Sequence, residues 1–291
     1  MFSICVNMLF GAHVSAAGGQ WNAPVYGKNL GCEVIQFFTR PPHSFAAKPI
    51  TNDDAAKFKA AMKDSGLKKA YVHAPYLINL ASSNNKTRFG SISMLRQELE
   101  RCSKLGVSAM MFHPGSAKDV GQEKGVELVV DGLNKIMDGY DGSCQLLIEI
   151  SAGAGAVMGD TFEELAAFID GAKRGKDIGI CFDTQHAFAS GYDLRKKTDV
   201  EATFKLFDKI IGLKKLVASH CNDSKVDFES HKDRHEHLGK GTMGEDAFKF
   251  IVQHPKLKHI DLILETPYEK EGQPNDPRIA DLELLKSFRK K

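Results

Sequence analysis

The residues with the clearest capacity for chemistry lie in one stretch, Ser219-His220-Cys221-Asn222-Asp223-Ser224-Lys225, followed by Asp233-Arg234-His235-Glu236. It starts where an apolar run, Leu216-Val217-Ala218, ends, and it closes on Gly239-Lys240-Gly241. In extended chain, residues two apart point the same way. Asp233 and His235 can therefore hold one metal ion together, with Arg234 turned aside. Other apolar runs end on the same kinds of side chain: His73-Ala74-Pro75, His113-Pro114-Gly115, Glu149, Asp183 with His186 three residues on, and Glu265-Thr266-Pro267. Any one of these alone reads more readily as a satisfied polar residue. Together they make five histidines and four carboxylates, a set that is costly to desolvate without a cation.

The donor types select the metal. Imidazoles with carboxylates suit zinc, with manganese or iron as substitutes, and suit magnesium poorly. Nine donors exceed one tetrahedral ion and fit three if some carboxylates bridge. Three divalent ions against four carboxylates leave about two positive charges, which draws an anion; a phosphodiester is the natural candidate.

The elements that must position these residues are eight short apolar runs: Met8–His13, Glu33–Thr39, Lys69–His73, Ala109–His113, Gln145–Glu149, Ile178–Asp183, Leu216–His220 and His259–Glu265. Between and after them lie helical patterns at 22–30, 53–65, 91–105, 127–137, 162–172, 200–211, 245–252 and 279–288, the first weakened by Pro24 and Gly27. Gly66 and Gly106 stand where helices end. Alternating strand and helix imply parallel strands. Eight such units predict an α/β fold, a (βα)8 TIM barrel over residues 1–291 as a single domain, with its active site at the C-terminal face of the strands. A doubly wound open sheet is the competing arrangement.

Composition narrows the class. A formal charge of +2 argues against a basic coat for nonspecific nucleic-acid binding but permits a local groove. Six scattered cysteines (5, 32, 102, 144, 181 and 221) without a CxxC pair read as reduced thiols. Cys181 should point the same way as Asp183 but deeper, in the barrel core, while Cys221 should face away from the site. The apolar start, Met1 to Phe10, is too short to span a membrane. An intracellular monomer that is neither secreted nor membrane-bound is expected, in cytoplasm, nucleoid or nucleus according to host. His231, His237, His254 and His259 have no partner at ligand spacing and read as solvated or packing.

Several longer motifs in one order carry a resemblance. They are Gly11-Ala12-His13-Val14-Ser15-Ala16-Ala17-Gly18-Gly19, His73-Ala74-Pro75-Tyr76-Leu77-Ile78-Asn79-Leu80, Phe112-His113-Pro114-Gly115-Ser116, Asp183-Thr184-Gln185-His186-Ala187-Phe188 with Gly191-Tyr192-Asp193, Asn222-Asp223-Ser224-Lys225, Asp233-Arg234-His235 and Leu264-Glu265-Thr266-Pro267. From Gly11 to about Pro267 the chain resembles the endonuclease IV family of apurinic/apyrimidinic endonucleases, DNA-repair enzymes with three zinc ions in a (βα)8 barrel. The resemblance implies that His73, His113 and Glu149 hold the first zinc, and that Glu149 bridges to a second held also by Asp183, His220 and Glu265. His186, Asp233 and His235 would hold the third. Glu149 and Glu265 are the residues on which catalysis is expected to depend. A hydroxide between the first two metals would attack the phosphorus 5′ to an abasic deoxyribose in double-stranded DNA, leaving a 3′-hydroxyl and a 5′-deoxyribose phosphate.

The resemblance also implies DNA contacts from Tyr76 and Leu77 as a wedge, backed by His43 and Phe45, with Arg40 nearer the phosphates. His13 is expected to hydrogen-bond behind the metal ligands. The chain departs from the family pattern after Glu149, where Asn, Thr and a later Gln are usual and Ile150, Ser151 and Ala154 stand here. It departs again after strand two, where His43-Ser44-Phe45 replaces Arg-Gln-Trp. A metal-dependent sugar isomerase or epimerase on a related barrel is one alternative, though the His186, Asp233 and His235 set speaks against it. A non-catalytic binder of damaged DNA is the other.

Overall fold

A computed structural model describes residues 8–270, 273 and 275–289; Cys5 lies outside them. Eight parallel strands close into a barrel. They are β1 (Phe10–His13), β2 (Val34–Phe37), β3 (Lys69–His73), β4 (Ala109–Phe112), β5 (Gln145–Glu149), β6 (Gly179–Cys181) and β7 (Leu216–His220), closed by β10 (Asp261–Leu264), which pairs with both β7 and β1. A separate antiparallel pair, β8 (Asp223–Ser224) and β9 (His235–Glu236), stands outside the barrel. The predicted barrel is therefore the observed one, with shorter strands: His113, Asp183 and Glu265 stand just beyond strand ends rather than within them.

The helices are α1 (Asn22–Leu30), α2 (Asn52–Ser65), α3 (Asn85–Leu105), α4 (Gln122–Met137), α5 (Phe162–Gly171), α6 (Thr184–Ala189), α7 (Lys197–Ile210), α8 (Glu245–Gln253) and α9 (Arg278–Ser287). α3 and α4 begin a turn or more before the apolar periodicity does. Their polar first turns show no apolar stripe, and α3 is started by the Asn84 side chain accepting from Thr87 N. α1 tolerates Pro24 because the first helical turn has no intrahelical acceptor for its N–H groups. Gly27 lets α1 seat on β2: a Cβ there would lie 2.2 Å from Ile35 Cγ2. No helix among the described residues is long and apolar enough to cross a membrane. The five cysteines described are all free thiols.

The strand period of two sets the vertical order of the barrel interior. Val34, Tyr71, Met111, Leu147, Cys181, Ala218 and Ile263 form one packed inner cluster. Two residues further along each of those strands stand Gln36, His73, His113, Glu149, Asp183, His220 and Glu265. An apolar floor thus carries a polar layer directly above it, at the C-terminal mouth. Cys181 lies in that floor, its thiol pushed up to about 11 by burial.

Candidate metal centre

Three groups of side chains bring ligand atoms within 4.8 Å of one another: His73, His113 and Glu149; Glu149, Asp183, His220 and Glu265; and Asp183, His186 and His235. Glu149 is fully buried at their centre. Its Oε2 faces His73 Nε2 at 2.9 Å and His113 Nε2 at 3.5 Å, and its Oε1 faces His220 Nδ1 at 2.8 Å. The two oxygens of one carboxylate thus look into two of the groups. Asp183 belongs to two groups as well. Asp233 stands at the edge of the third, exposed, 3.4 Å from His186 Nε2 and 3.3 Å from His235 Nε2.

Each of the five imidazoles has its outer nitrogen engaged. His73 Nδ1 meets Ala74 O at 2.6 Å, His186 Nδ1 meets Ile150 O at 3.0 Å, and His235 Nδ1 meets Glu265 O at 3.2 Å. A carbonyl only accepts, so these nitrogens donate. His113 Nδ1 lies 3.4 Å from Ser151 Oγ, whose proton goes to Met158 O. His220 is reversed: its Nε2 meets Gln36 Oε1 at 2.8 Å. In every case the inner nitrogen is left for the cluster, through Nε2 in four rings and Nδ1 in His220. The departures after Glu149 are accommodated: Ile150 contributes a backbone carbonyl, Ser151 a hydroxyl, and Ala154 lies exposed on the loop.

The imidazoles and carboxylates of the centre shift one another. Burial drives the Glu149 carboxyl up, but His113, His220 and His73 outweigh it and hold the group well below the usual range. Burial works against a charged His186, yet Asp183 and Asp233 raise it to about 10. His113 falls to about 4 through burial, despite Glu149.

The supporting elements explain how the residues arrive. Asp183 is the N-cap of α6, its Oδ1 accepting from His186 N at 2.9 Å. One residue thereby closes the strand, starts the helix and sets His186 on its first turn. Asn222 donates to Asp183 Oδ2 at 2.7 Å and accepts from Glu265 N at 2.8 Å. His13 lies beside the Gln36 amide: Gln36 Nε2 is 2.9 Å from His13 Nδ1 and 2.6 Å from Glu265 Oε1. Burial lowers the His13 ring, favouring the neutral form that can accept there. Sequence reading missed Gln36, Asn222 and Ser151 as supports. Only Gln36 had a signal: it is two residues past Val34, on the face that carries the ligands on neighbouring strands.

At the rim, Tyr76 is 58% exposed, Phe45 is 55% exposed, His43 is exposed and Leu77 is half-buried. The Tyr76 ring lies 5.5 Å from both His43 and Phe38, and Tyr76 N donates to Pro42 O at 3.0 Å. Burial raises the Tyr76 hydroxyl to about 12, keeping it protonated. Gly115 brings the next loop close, since its φ is +103° and a Cβ would lie 2.4 Å from Asn79 Oδ1. Arg40 departs from expectation. Its guanidinium is buried against Glu98, with Nε 2.7 Å and Nη2 2.6 Å from Oε1, and Nη1 donates to Phe45 O at 2.7 Å. Glu98 is fully buried on α3 and needs a cation. It holds Arg40 inward, so Arg40 shapes the loop from within rather than facing a phosphate.

Among the remaining histidines, His237 pairs with Asp281 at 2.7 Å, His254 Nδ1 accepts from Lys256 N, and His259 Nε2 lies 3.2 Å from the carbonyls of Leu213 and Leu216. His231 is exposed. A cavity of about 1280 Å³ opens over the centre, bounded by Ser15–Gln20, Arg40–Pro42, Tyr76, Asp233 and Tyr268.

The family described as a xylose isomerase-like TIM barrel matches residues 26–288. A D-tagatose 3-epimerase-like protein shares the fold, with a TM-score of 0.69 at 19% identity over 97% of both chains. Endonuclease IV from Thermus thermophilus superposes with a TM-score of 0.84 at 31% identity, covering 96% of this chain and 98% of that one. A protein of Geotalea daltonii named probable endonuclease 4 is 39% identical over 281 residues, 96% of this chain and 97% of its own. With such similarity along nearly the whole of both chains, and a histidine- and carboxylate-lined mouth on the barrel, this chain belongs to the endonuclease IV family.

Proposed function

We propose that the protein cuts double-stranded DNA on the 5′ side of abasic sites, using three divalent ions, mainly zinc. The observation that carries this reading is the common orientation of the five imidazoles. Each outer nitrogen is pinned to an acceptor, or in His113 to a hydroxyl, and each inner nitrogen is turned to a centre with buried carboxylates. Such pinning is the usual support of a metal-bound imidazole. The donor set fits zinc.

In this reading His73, His113 and Glu149 would hold one ion, and Glu149, Asp183, His220 and Glu265 would hold a second. His186, His235 and Asp233 hold the third, with Asp183 close by. Bound there, divalent ions polarise a phosphoryl oxygen, lower the pKa of water and stabilise a leaving alkoxide. The chain's own residues do the rest. Gln36, its amide nitrogen shared with His13 Nδ1, donates to the Glu265 carboxylate and holds it in place, Asn222 holds Asp183, and the apolar floor closes the site from below. An abasic nucleotide lacks a base to unstack and is cheap to turn out of the duplex. Tyr76 and Leu77, with His43 and Phe45 on the adjoining loop, fill the gap that it leaves. Arg40 and Glu98 keep that loop in shape.

A duplex with one tetrahydrofuran abasic analogue tests the reading. We expect incision immediately 5′ to the analogue with a 3′-hydroxyl product, about three zinc ions per chain, and no need for added magnesium. Glu149→Gln should abolish incision and lower metal content. A metal-replete protein that leaves the analogue uncut, or one that needs magnesium, would overturn it.

A further inference from the structure

The candidate ligands rest on unequal supports. His73, His113, Glu149, His220 and Glu265 lie on barrel strands or one residue beyond them. His235 does not. It sits on β9, two residues long, paired only with β8 in the register Asp223↔Glu236 and Ser224↔His235. So short a pair is not a rigid mount. The distance between His235 and the end of β10 must be fixed by something else.

One tie is direct, from His235 Nδ1 to Glu265 O. A second comes from α9. Asp281 Oδ2 accepts from Thr266 Oγ1 at 2.8 Å and from His237 Nδ1 at 2.7 Å, and Oδ1 accepts from Leu238 N at 3.1 Å. Thr266 directly follows Glu265, and His237 and Leu238 follow His235 by two and three residues. Thr266, Leu238 and Asp281 are buried, so water is poorly placed to replace these bonds. The helix is itself anchored. One turn earlier, the buried Arg278 donates to His13 O at 2.7 Å and pairs with Asp276 at 2.6 Å.

We propose that Asp281 is a positioning residue of the metal centre, clamping the loop after β10 to the segment after β9 and so setting the separation of Glu265 and His235. Only a carboxylate fits the task. It has two acceptor oxygens and no proton, and it meets three donors at once. An amide turns one of those oxygens into a donor. The proposal rests on the three-ion reading. The ions it serves are those held by Glu265 and by His235.

The test compares the wild type with Asp281→Asn and Thr266→Val at a series of free zinc concentrations set by a competing chelator. Bound zinc per chain is measured by elemental analysis, and the unfolding of the metal-stripped proteins is followed in parallel. Thr266→Val keeps the side-chain shape, removes one of the three donors, and carries the test if Asp281→Asn does not fold. Loss of a supporting partner of this kind weakens metal affinity about 10–100-fold. Asp281→Asn should therefore lose at least one ion where the wild type is full and regain it at correspondingly higher free zinc, with incision returning in step. Thr266→Val should shift the same way by less. Zinc curves of both variants superposed on that of the wild type would overturn the proposal, whatever their unfolding temperatures. A wild type that binds fewer than three ions would instead overturn the three-ion reading. A displaced variant curve for the ions it does bind would still support the clamp.

Discussion

Gln36→Leu is the sharpest probe of how the site is built. Gln36 is fully buried, and its amide faces three partners. The Glu265 carboxylate, 2.6 Å away, can only accept, so the nitrogen of the amide must lie on that side. The oxygen then faces His220 Nε2 at 2.8 Å and accepts its proton. That bond fixes the tautomer of His220 and frees Nδ1 for the cluster. Leucine has a similar volume and offers neither bond. His220 can then place its proton on either nitrogen, and Glu265 loses a fixed donor. A supporting partner of a metal ligand is worth about 10–100-fold in affinity, or roughly 1.4–2.7 kcal/mol. Hydrogen bonds to charged groups, at about 1.5–3 kcal/mol each, give the same range. Competition of the protein against a zinc chelator measures the loss directly. Incision should fall at limiting zinc and recover substantially at saturating zinc, because Gln36 acts through His220 and Glu265. Unchanged zinc affinity in a folded Gln36→Leu protein would show that His220 is oriented by other contacts and that the tautomer argument is wrong.

Three further outcomes follow from the same geometry. Glu98→Gln removes the carboxylate beneath Arg40 and Arg101, which should cost about 3–5 kcal/mol of stability and open the 40–49 loop to proteolysis, with metal content unchanged. Tyr76→Ala should weaken binding of an abasic duplex by about 1–3 kcal/mol, measured by fluorescence anisotropy, again at full metal content. Glu33 is pushed up by burial but pulled lower overall by Arg289 and by Phe10 N. A carboxyl lowered on folding stabilises above its unfolded value near 4.5 and loses that contribution as pH falls through the folded value. The thermal midpoint of Glu33→Gln should thus lie below wild type at pH 7, and the gap should close as the pH drops below about 4.5.

What the sequence made legible and what it hid divide along a physical line. The strands show because alternation and apolar runs are local. The candidate ligands show because each barrel strand ends at the same mouth, so ionisable residues at successive ends converge. α6 was hidden because six residues leave no room for periodicity; its only mark is Asp183, which serves as cap and candidate ligand at once. β8 and β9 were hidden because a pair of two-residue strands has no pattern at all. Arg40 was misplaced for a different reason. Its partner Glu98 is 58 residues away on α3, and an arginine in a loop reads as solvent-facing until that partner is known. Gln36 carried a signal through its face of the strand, but its role depends on three residues from β1, β7 and the end of β10.

The shared barrel also indicates where activities on this fold must part. The apolar floor and the polar layer above it are built from strand ends, positions that every closed eight-stranded barrel possesses. Similarity to an epimerase-like protein at 19% identity therefore establishes the frame alone. The third candidate group is different in origin. His186 comes from α6 and His235 from β9, with Asp233 beside it, all outside the barrel sheet. These additions bring two imidazoles to a mouth already holding three, and they extend it sideways from Glu149 toward Asp183. A phosphodiester in transfer spreads charge over the attacking, leaving and non-bridging oxygens, and needs cations on more than one side. On the proposed three-ion reading, the candidate ligands of the third group are thus the ones that the barrel sheet itself does not carry. They must be tied back to it, which is the part that Asn222, Gln185 and Asp281 play: Asn222 bonds Asp183, Gln185 bonds the backbone of Lys232 and Arg234, and Asp281 bonds Thr266 and Leu238.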